Sequence, residues 1–434
     1  MKGRFMEKFI EIAGRIGAQR HLVAIRDGFV AIMPLIIVGS FAILINNFPP
    51  LGSFSFVEWM NGILGEGNWQ AVGGSIWNGT FAVLGLLVAF SIAYNLAKSY
   101  EVDGLSAGLI SAAAYIMLVP VTEDWGLNFA WLGAQGLFVA IILALVLTEL
   151  FRVLVNSKWT IKMPEGVPEG VARSFKALIP ATLILILVGC FQALMSVFAE
   201  ISIFEVIFQA IQEPLQGLGN TLPAAILIAF LNHLLWFFGL HGTNIIGAVM
   251  EPLYLPLIQE NLELFNSGVS AFDVPYTVTK PFLDAYVFMG GSGTTIALIA
   301  AIFIVIRKQK NHPYREVGKL SAPASLFNIN EPVIFGLPIV LNPAMLIPFI
   351  MIPVILTITS YFALATGLVP KTVAIIPWTT PPILSGYLVT GGSWRGIALQ
   401  IFNFAIATMM YIPFVMVGVR ALKQQMGEIK DAHN

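Results

Sequence analysis

Apolar runs long enough to cross a bilayer recur along almost the whole chain, near residues 22–48, 71–97, 104–121, 131–155, 175–199, 221–240, 281–306, 344–364 and 396–419. About 20 apolar residues in a helix span the hydrocarbon core. The expected fold class is therefore an all-α integral membrane protein. Composition agrees: 57% of the residues are hydrophobic and 11% charged, against roughly 25% charged in soluble domains. A net charge of −1 provides no field that would attract nucleic acid. Residues 1–21 are too polar, and the first run too long, for a cleaved signal peptide, so 22–48 is read as the first span. The lone Cys190 lies within LILILVGCFQALM; without a second thiol or metal-type Cys/His spacing it is expected to be a buried small apolar side chain.

Charge orients the runs, because cytoplasmic loops collect Lys and Arg. Lys2, Arg4, Lys8, Arg15 and Arg20 precede the first run, and Lys98 follows the second. Arg152, Lys158, Lys162, Arg173 and Lys176 separate the fourth from the fifth. Arg307, Lys308, Lys310, Arg315 and Lys319 follow 281–306, and Arg420, Lys423 and Lys430 close the chain. The intervening stretches carry Glu58, Glu66, Glu123, Asp124, Glu200, Glu205 and Glu213 instead. Parity then demands an outward crossing between 241 and 280, for which HGTNIIGAVMEPLYLPLIQ is the candidate. The expectation is about ten transmembrane helices with both termini cytoplasmic.

Two further apolar stretches, near 322–343 and 368–390, are interrupted by Gly, Pro and Asn and must leave on the side they entered. Irregular backbone at membrane depth survives only where protein buries it or where it lines a cavity, so both are read as re-entrant segments. Phe5, Phe9, Ile12, Ala13 and Ile16 recur at helical spacing among Lys8, Arg15 and Arg20, which predicts an amphipathic helix over 1–21 lying on the inner membrane surface. The loop 156–172, with Pro164 and Pro168, is the candidate joint between a half spanning 22–172 and a half spanning 173–420; residues 421–434 form a polar tail.

Ionisable residues inside spans are costly and are functional candidates. Glu331 lies in FNINEPVIFGLPIVLNP beside Asn328, Asn330 and Pro332; such a carboxylate can carry a proton, bind sodium or act as a general base. His241 lies in LWFFGLHGTNIIG, where Gly239 and Gly242 allow close backbone approach and Thr243 and Asn244 add hydrogen-bonding groups; structural and functional roles are equally open for it. His233 sits in a plainer helix and is read as structural. Asp284 is expected to favour the start of the 281–306 helix through its dipole. Arg395 either anchors at the interface or meets an anion. Trp236 and Trp378 suggest stacking on a sugar ring, combined with placed polar groups, whereas Trp59, Trp69 and Trp125 at loop edges read as an interfacial belt.

The segments WFFGLHGTN, FNINEPVIFGLP, PWTTPPILSGYLVTGG, MGGSGTT and SIWNGTFAV together resemble the membrane subunit, enzyme IIC, of sugar phosphotransferase systems, in its lactose/cellobiose/chitobiose family. The resemblance runs over roughly residues 5–425. It implies a homodimer whose N-terminal half makes most of the dimer contact and whose C-terminal half carries a β-linked disaccharide across the bilayer. It also implies phosphorylation of the sugar 6-hydroxyl by a phosphocysteine of a separate cytoplasmic enzyme IIB, itself charged through IIA. Carried over by position, His241 and Glu331 sit at the reactive hydroxyl as catalytic residues, Glu331 suiting a general base and His241 able to orient the hydroxyl or share its proton. The expected substrate-binding set is Trp236, Gly242, Thr243, Asn244, Asn328, Asn330, Trp378 and Thr379, with Asn128 and Gln135 from the first half. No metal or other cofactor is expected, because the phosphoryl donor is a protein thiol. The competing reading is an ion-coupled transporter that releases unmodified sugar.

Overall fold

The computed structural model describes residues 2–48, 50, 53–122, 126–158, 160–198, 201–309, 312–337 and 339–432, with side chains of 2–6, 9 and 421–432 excepted. Glu123, Asp124, Trp125, Glu200 and Lys310 lie outside the described residues, as do the side chains of Lys2, Arg4, Phe5, Phe9, Lys423 and Lys430. Among the described residues the chain is helical, with one isolated bridge between Val121 and Leu127. The principal helices are α1 (Lys2–Gly17), α2 (Arg20–Asn46), α3 (Gln70–Asn78), α4 (Leu84–Ser99), α5 (Gly104–Leu118), α6 (Leu137–Val155), α7 (Glu169–Phe198), α8 (Leu222–Phe237), α9 (Gly242–Asn266), α10 (Lys280–Tyr286), α11 (Thr295–Val305), α12 (Pro313–Leu326), α13 (Glu331–Gly336), α14 (Pro343–Ala365), α15 (Leu384–Val389) and α16 (Trp394–Ala432).

Their starts follow from the sequence. Asp103, Thr221, Thr279 and Asn342 each accept a backbone N–H of the first turn, and Pro follows the cap in the last three, where its missing N–H costs nothing. Among the described residues six helices are long and apolar enough to cross a membrane, or seven if the bent pair Ile203–Gly219 and Leu222–Phe237 is one span. Helices α5 and α11 are apolar but shorter. The count of ten crossings therefore continues to rest on the charge pattern. The 281–306 run is not one helix: α10 ends at Tyr286 and α11 begins at Thr295. Between them Gly290, Gly291 and Gly293 adopt positive φ, and so does Thr294. A hydropathy average passes over this break because glycine and threonine are nearly neutral in it.

The helices pack as two units, Met1–Asn46, Met60–Gly217 and Gly247–Pro256 in the first, and Asn47–Trp59, Leu218–Ile246 and Leu257–Asn434 in the second. The loop 156–172 lies inside the first unit, because α7 packs on α5 and α6. In the first unit α4 is the centre, touching α2, α5 and α6, with Val88, Ala89, Ile92, Ala93, Leu96 and Ala97 fully buried. Small residues bring the helices together. Cys190 is exposed on α7, against the expectation of burial: α7 is apolar on every side, so the sequence carries no period from which to choose its inner face. Trp59 is exposed, whereas Trp69 is buried and donates its indole N–H to Asn61 Oδ1 at 2.7 Å.

The second unit has an apolar core built from α8, α11, α13, α14 and α16, including Trp236, Leu298, Ile302, Val333, Phe349 and Tyr411. Around it run irregular segments at 287–294, 327–330 and 366–383. These leave backbone groups without helical partners, and buried side-chain amides satisfy them. Gln400 on α16 accepts Ile383 N–H at 2.6 Å and Gly386 N–H at 3.0 Å, and donates to Ala285 O at 2.7 Å and Ser385 Oγ at 2.8 Å. Asn403, one turn on, donates to Tyr286 O at 3.0 Å and Ser360 Oγ at 2.7 Å. Asn261 holds Tyr276 and Thr372 in the same manner. Within 322–343 and 368–390 the backbone is irregular at 327–330 and 368–383, and short helices occupy Glu331–Gly336 and Leu384–Val389.

Candidate functional site

His241 ends the irregular link after α8 and caps α9, its Nδ1 accepting Asn244 N–H at 3.2 Å. Its Nε2 lies 3.8 Å from Glu331 Oε1, the first residue of α13, across ninety residues of sequence. That distance exceeds a direct hydrogen bond and leaves room for a hydroxyl within reach of both groups. The side chains are 41% and 46% exposed, so Glu331, expected to be a buried, desolvated carboxylate, stands open in this conformation. The short α13 holds it at the mouth of an irregular segment and not within a packed span. On its other side the His241 ring rests on Trp236, with centroids 4.3 Å apart.

Trp236 is 3% exposed and belongs to the apolar core. It supports His241 and offers no open ring face, unlike Trp378, which is 41% exposed and lies in the irregular 366–383 segment with half-buried Thr379 beside it. Asn328 fixes that segment. Its backbone is left-handed at φ 61°, a conformation asparagine tolerates. Its Nδ2 donates to Trp378 O at 2.6 Å and Thr380 O at 3.1 Å, while Oδ1 accepts Gly290 N–H at 2.8 Å. Asn330 Nδ2 donates to Ser292 O at 2.9 Å. Both asparagines are buried, and both act on backbone. Gly291 packs against them so closely that a Cβ there would lie 2.6 Å from Asn330 Cβ and 2.7 Å from Asn328 O.

Gly242 is buried, Thr243 half-buried and Asn244 exposed. A Cβ at 242 would come within 2.2 Å of Asn232 O, so only glycine lets α9 begin there. Asn128 and Gln135 belong to the first unit: Asn128 accepts Ala130 N–H at 3.0 Å at the start of a short helix, and Gln135 is exposed in the turn that follows. Sequence reasoning passed over Asn232 and Ser292, which join the segments bearing the reactive pair; an asparagine in the middle of an apolar run was the available signal. His233 is fully buried, its Nδ1 2.5 Å from Ala229 O and its ring edge-on to Phe288 and Phe349, in line with a structural part. Asp284 pairs with Lys280 at 2.8 Å instead of serving the dipole at a helix start; it lies in the fifth position of α10. Arg395 anchors locally, donating to Leu368 O at 3.2 Å with its guanidinium over Phe272.

A helical membrane protein with a polar site assembled at interrupted helices is built as membrane transporters are. Comparison with known proteins narrows the class. The family model described as "Phosphotransferase system, EIIC" matches residues 26–353. The chain is 39% identical to the lichenan permease IIC component of Bacillus subtilis (strain 168) over 422 residues, covering 94% of this chain and 91% of that protein. It is 40% identical to the cellobiose-specific EIIC component of Geobacillus stearothermophilus over 430 residues, covering 95% and 92%. The crystal structure of the transporter ChbC, the IIC component from the N,N'-diacetylchitobiose-specific phosphotransferase system, superposes with a TM-score of 0.90 at 40% identity, over 98% of this chain and 99% of that one. The chain belongs to the EIIC family of the phosphotransferase system, as its motifs led one to expect.

Proposed function

We propose that this permease carries a β-linked disaccharide of the cellobiose or diacetylchitobiose type across the bacterial inner membrane and presents its 6-hydroxyl to the phosphocysteine of a separate enzyme IIB, recharged through IIA. In this reading the chain crosses the bilayer about ten times with both termini in the cytoplasm, the segments near 322–343 and 368–390 re-enter the membrane, and two copies form a dimer through the N-terminal half. The observation that carries it is the His241–Glu331 pair at 3.8 Å, open to solvent, with the exposed ring of Trp378 on a segment tied to the same turn through Asn328. The names of the relatives support the sugar class.

The chemistry follows from the pair. The sugar O6 attacks phosphorus; a P–O bond forms, the P–S bond breaks, and the thiolate leaves on IIB. The hydroxyl proton passes to the Glu331–His241 pair. A positioned proton acceptor accelerates such a step by about 10²–10⁴-fold. Trp378 stacks on the sugar ring with Thr379 at its edge, and Thr243 and Asn244 present groups beside His241.

Uptake into membrane vesicles tests this reading. With IIB, IIA and the phosphate donor chain enclosed, the internal product is expected to be sugar phosphate, and uptake should stop when the donor chain is omitted. Unmodified sugar accumulating under an ion gradient would overturn it in favour of ion-coupled transport, with Glu331 as proton carrier.

A further inference from the structure

His241 and Glu331 sit on segments that share no helix, so something must set their separation. An unbroken chain of hydrogen bonds links the two segments. Thr243 Oγ1 donates to Asn232 Oδ1 at 3.2 Å, and Asn232 Nδ2 donates to Ser292 Oγ at 3.0 Å. Asn330 Nδ2 then donates to Ser292 O at 2.9 Å. Thr243 follows His241 by two residues, and Asn330 immediately precedes Glu331. Both ends of the chain therefore terminate beside a reactive group.

We propose that Asn232 is a positioning residue that sets the register of His241 against Glu331 through Thr243, Ser292 and Asn330. Three observations separate this role from general cohesion. Asn232 is fully buried in a helix whose other side chains are apolar except for His233 and the Trp236 indole N–H, where an amide is retained only if its partners are supplied. Both ends of its amide point out of α8, to two different segments. Its backbone carbonyl is also the surface on which Gly242 rests, so one residue fixes the start of α9 in position and in rotation. The His241 ring is tied to that same first turn through Asn244 N–H, and a shift of the turn moves the imidazole with it.

The assignment rests on the phosphotransfer reading above, and its test separates the two. Asn232→Ala, Ser292→Ala and the double variant are purified as full chains. Each is measured for affinity by calorimetry with cellobiose and N,N'-diacetylchitobiose as probes, for phosphoryl transfer from phosphorylated IIB at saturating sugar, and for thermal unfolding in detergent. Misplacement of reacting groups by about 1 Å costs on the order of 100-fold. Each single variant should lose about 10–100-fold in transfer rate while sugar affinity stays within about threefold. Thr243 Oγ1 also lies 3.4 Å from Ser292 Oγ, so each single variant leaves Thr243 one contact and the double variant, which removes both, should lose more than either single. Ser292→Ala is the milder change and keeps the test open if Asn232→Ala unfolds. Wild-type transfer by folded single variants would overturn the positioning role alone, as would a fall in affinity equal to the fall in rate. Absence of transfer by the wild-type protein with the full donor chain would overturn the phosphotransfer reading, and this role with it.

Discussion

The two units solve the same solvation problem differently. The first relies mainly on continuous helices packed through small residues: a Cβ at Gly28 would meet the Ile92 side chain and one at Gly108 the Phe90 ring, while Tyr115 and Gln212 bond to Trp131 O and Ala134 O where the helices are interrupted. Its main polar cluster sits at helix ends, where Glu149 accepts from Tyr100 at 2.5 Å and Arg152 at 2.9 Å and meets His21 at 3.0 Å, with Arg20 and Arg152 over the Tyr100 ring. The second unit interrupts its helices and holds the released segments with buried amides, Asn232, Asn261, Asn328, Asn330, Gln400 and Asn403, and with the half-buried Asn220. The difference teaches where chemistry can be placed. A continuous apolar helix offers no polar backbone and no reason for a carboxylate; an interrupted one exposes both, provided something holds the ends.

The sharpest break of this comparison comes from removing one buried polar side chain from each unit. Gln400→Leu orphans two backbone N–H groups at α15 and two acceptors, and should destabilise by about 3–5 kcal/mol, since each buried unsatisfied group costs roughly 1–3 kcal/mol. Ser111→Ala in α5 removes a buried hydroxyl that has no hydrogen-bond partner and should be neutral within about 0.5 kcal/mol. Unfolding of both variants in detergent checks the pair; equal costs would erase the distinction between the units.

A second, smaller effect concerns the site. Trp378→Ala should weaken sugar binding by about 1–3 kcal/mol through loss of a large aromatic contact, measured by calorimetry. Unchanged affinity would make its exposed ring a packing or membrane feature.

The smallest effect concerns the basic stretch 307–319. Arg315 is occupied at the end of α11, donating to Ile306 O at 3.3 Å and Arg307 O at 3.2 Å, and Lys319 pairs with Glu316 at 2.7 Å on the surface. Exposed pairs of this kind are worth little, so Lys319 remains available to a partner. Replacing Lys308, Lys310 and Lys319 by Gln should slow transfer from IIB several-fold at low salt, leave sugar affinity unchanged, and lose its effect at high salt. Wild-type transfer rates at low ionic strength would leave these charges a topological role only.

How much of this was legible in the sequence follows the same division. The ends of α2 and α14 fall within two residues of the apolar runs, and those of α6 and α7 within six, because an unbroken span is visible to a hydropathy average. The break at 287–294 was not, although three positive-φ glycines sit in it, because an average does not see conformation. Cys190 was placed inside because an all-apolar helix has no face to read. Within the site, the reactive types at 241 and 331 are legible, but their juxtaposition is implied only by the family resemblance and their 3.8 Å separation comes from the structure, since spacing in sequence says nothing about a contact across ninety residues. Asn328 and Asn330 are expected as sugar ligands; the structure adds bonds from Asn328 to Trp378 O, Thr380 O and Gly290 N–H and from Asn330 Nδ2 to Ser292 O, a backbone role the sequence did not signal. A polar residue in a span signals that it has a partner, not which partner.

The central claim is that the His241–Glu331 pair receives the proton of the hydroxyl being phosphorylated. Glu331→Gln keeps the shape of the side chain and removes its basicity. Phosphoryl transfer from phosphorylated IIB to bound disaccharide, followed with the purified variant at saturating sugar, should fall by about 10²–10⁴-fold, with sugar affinity retained. Sugar phosphate formed at the wild-type rate by the Glu331→Gln protein would contradict it.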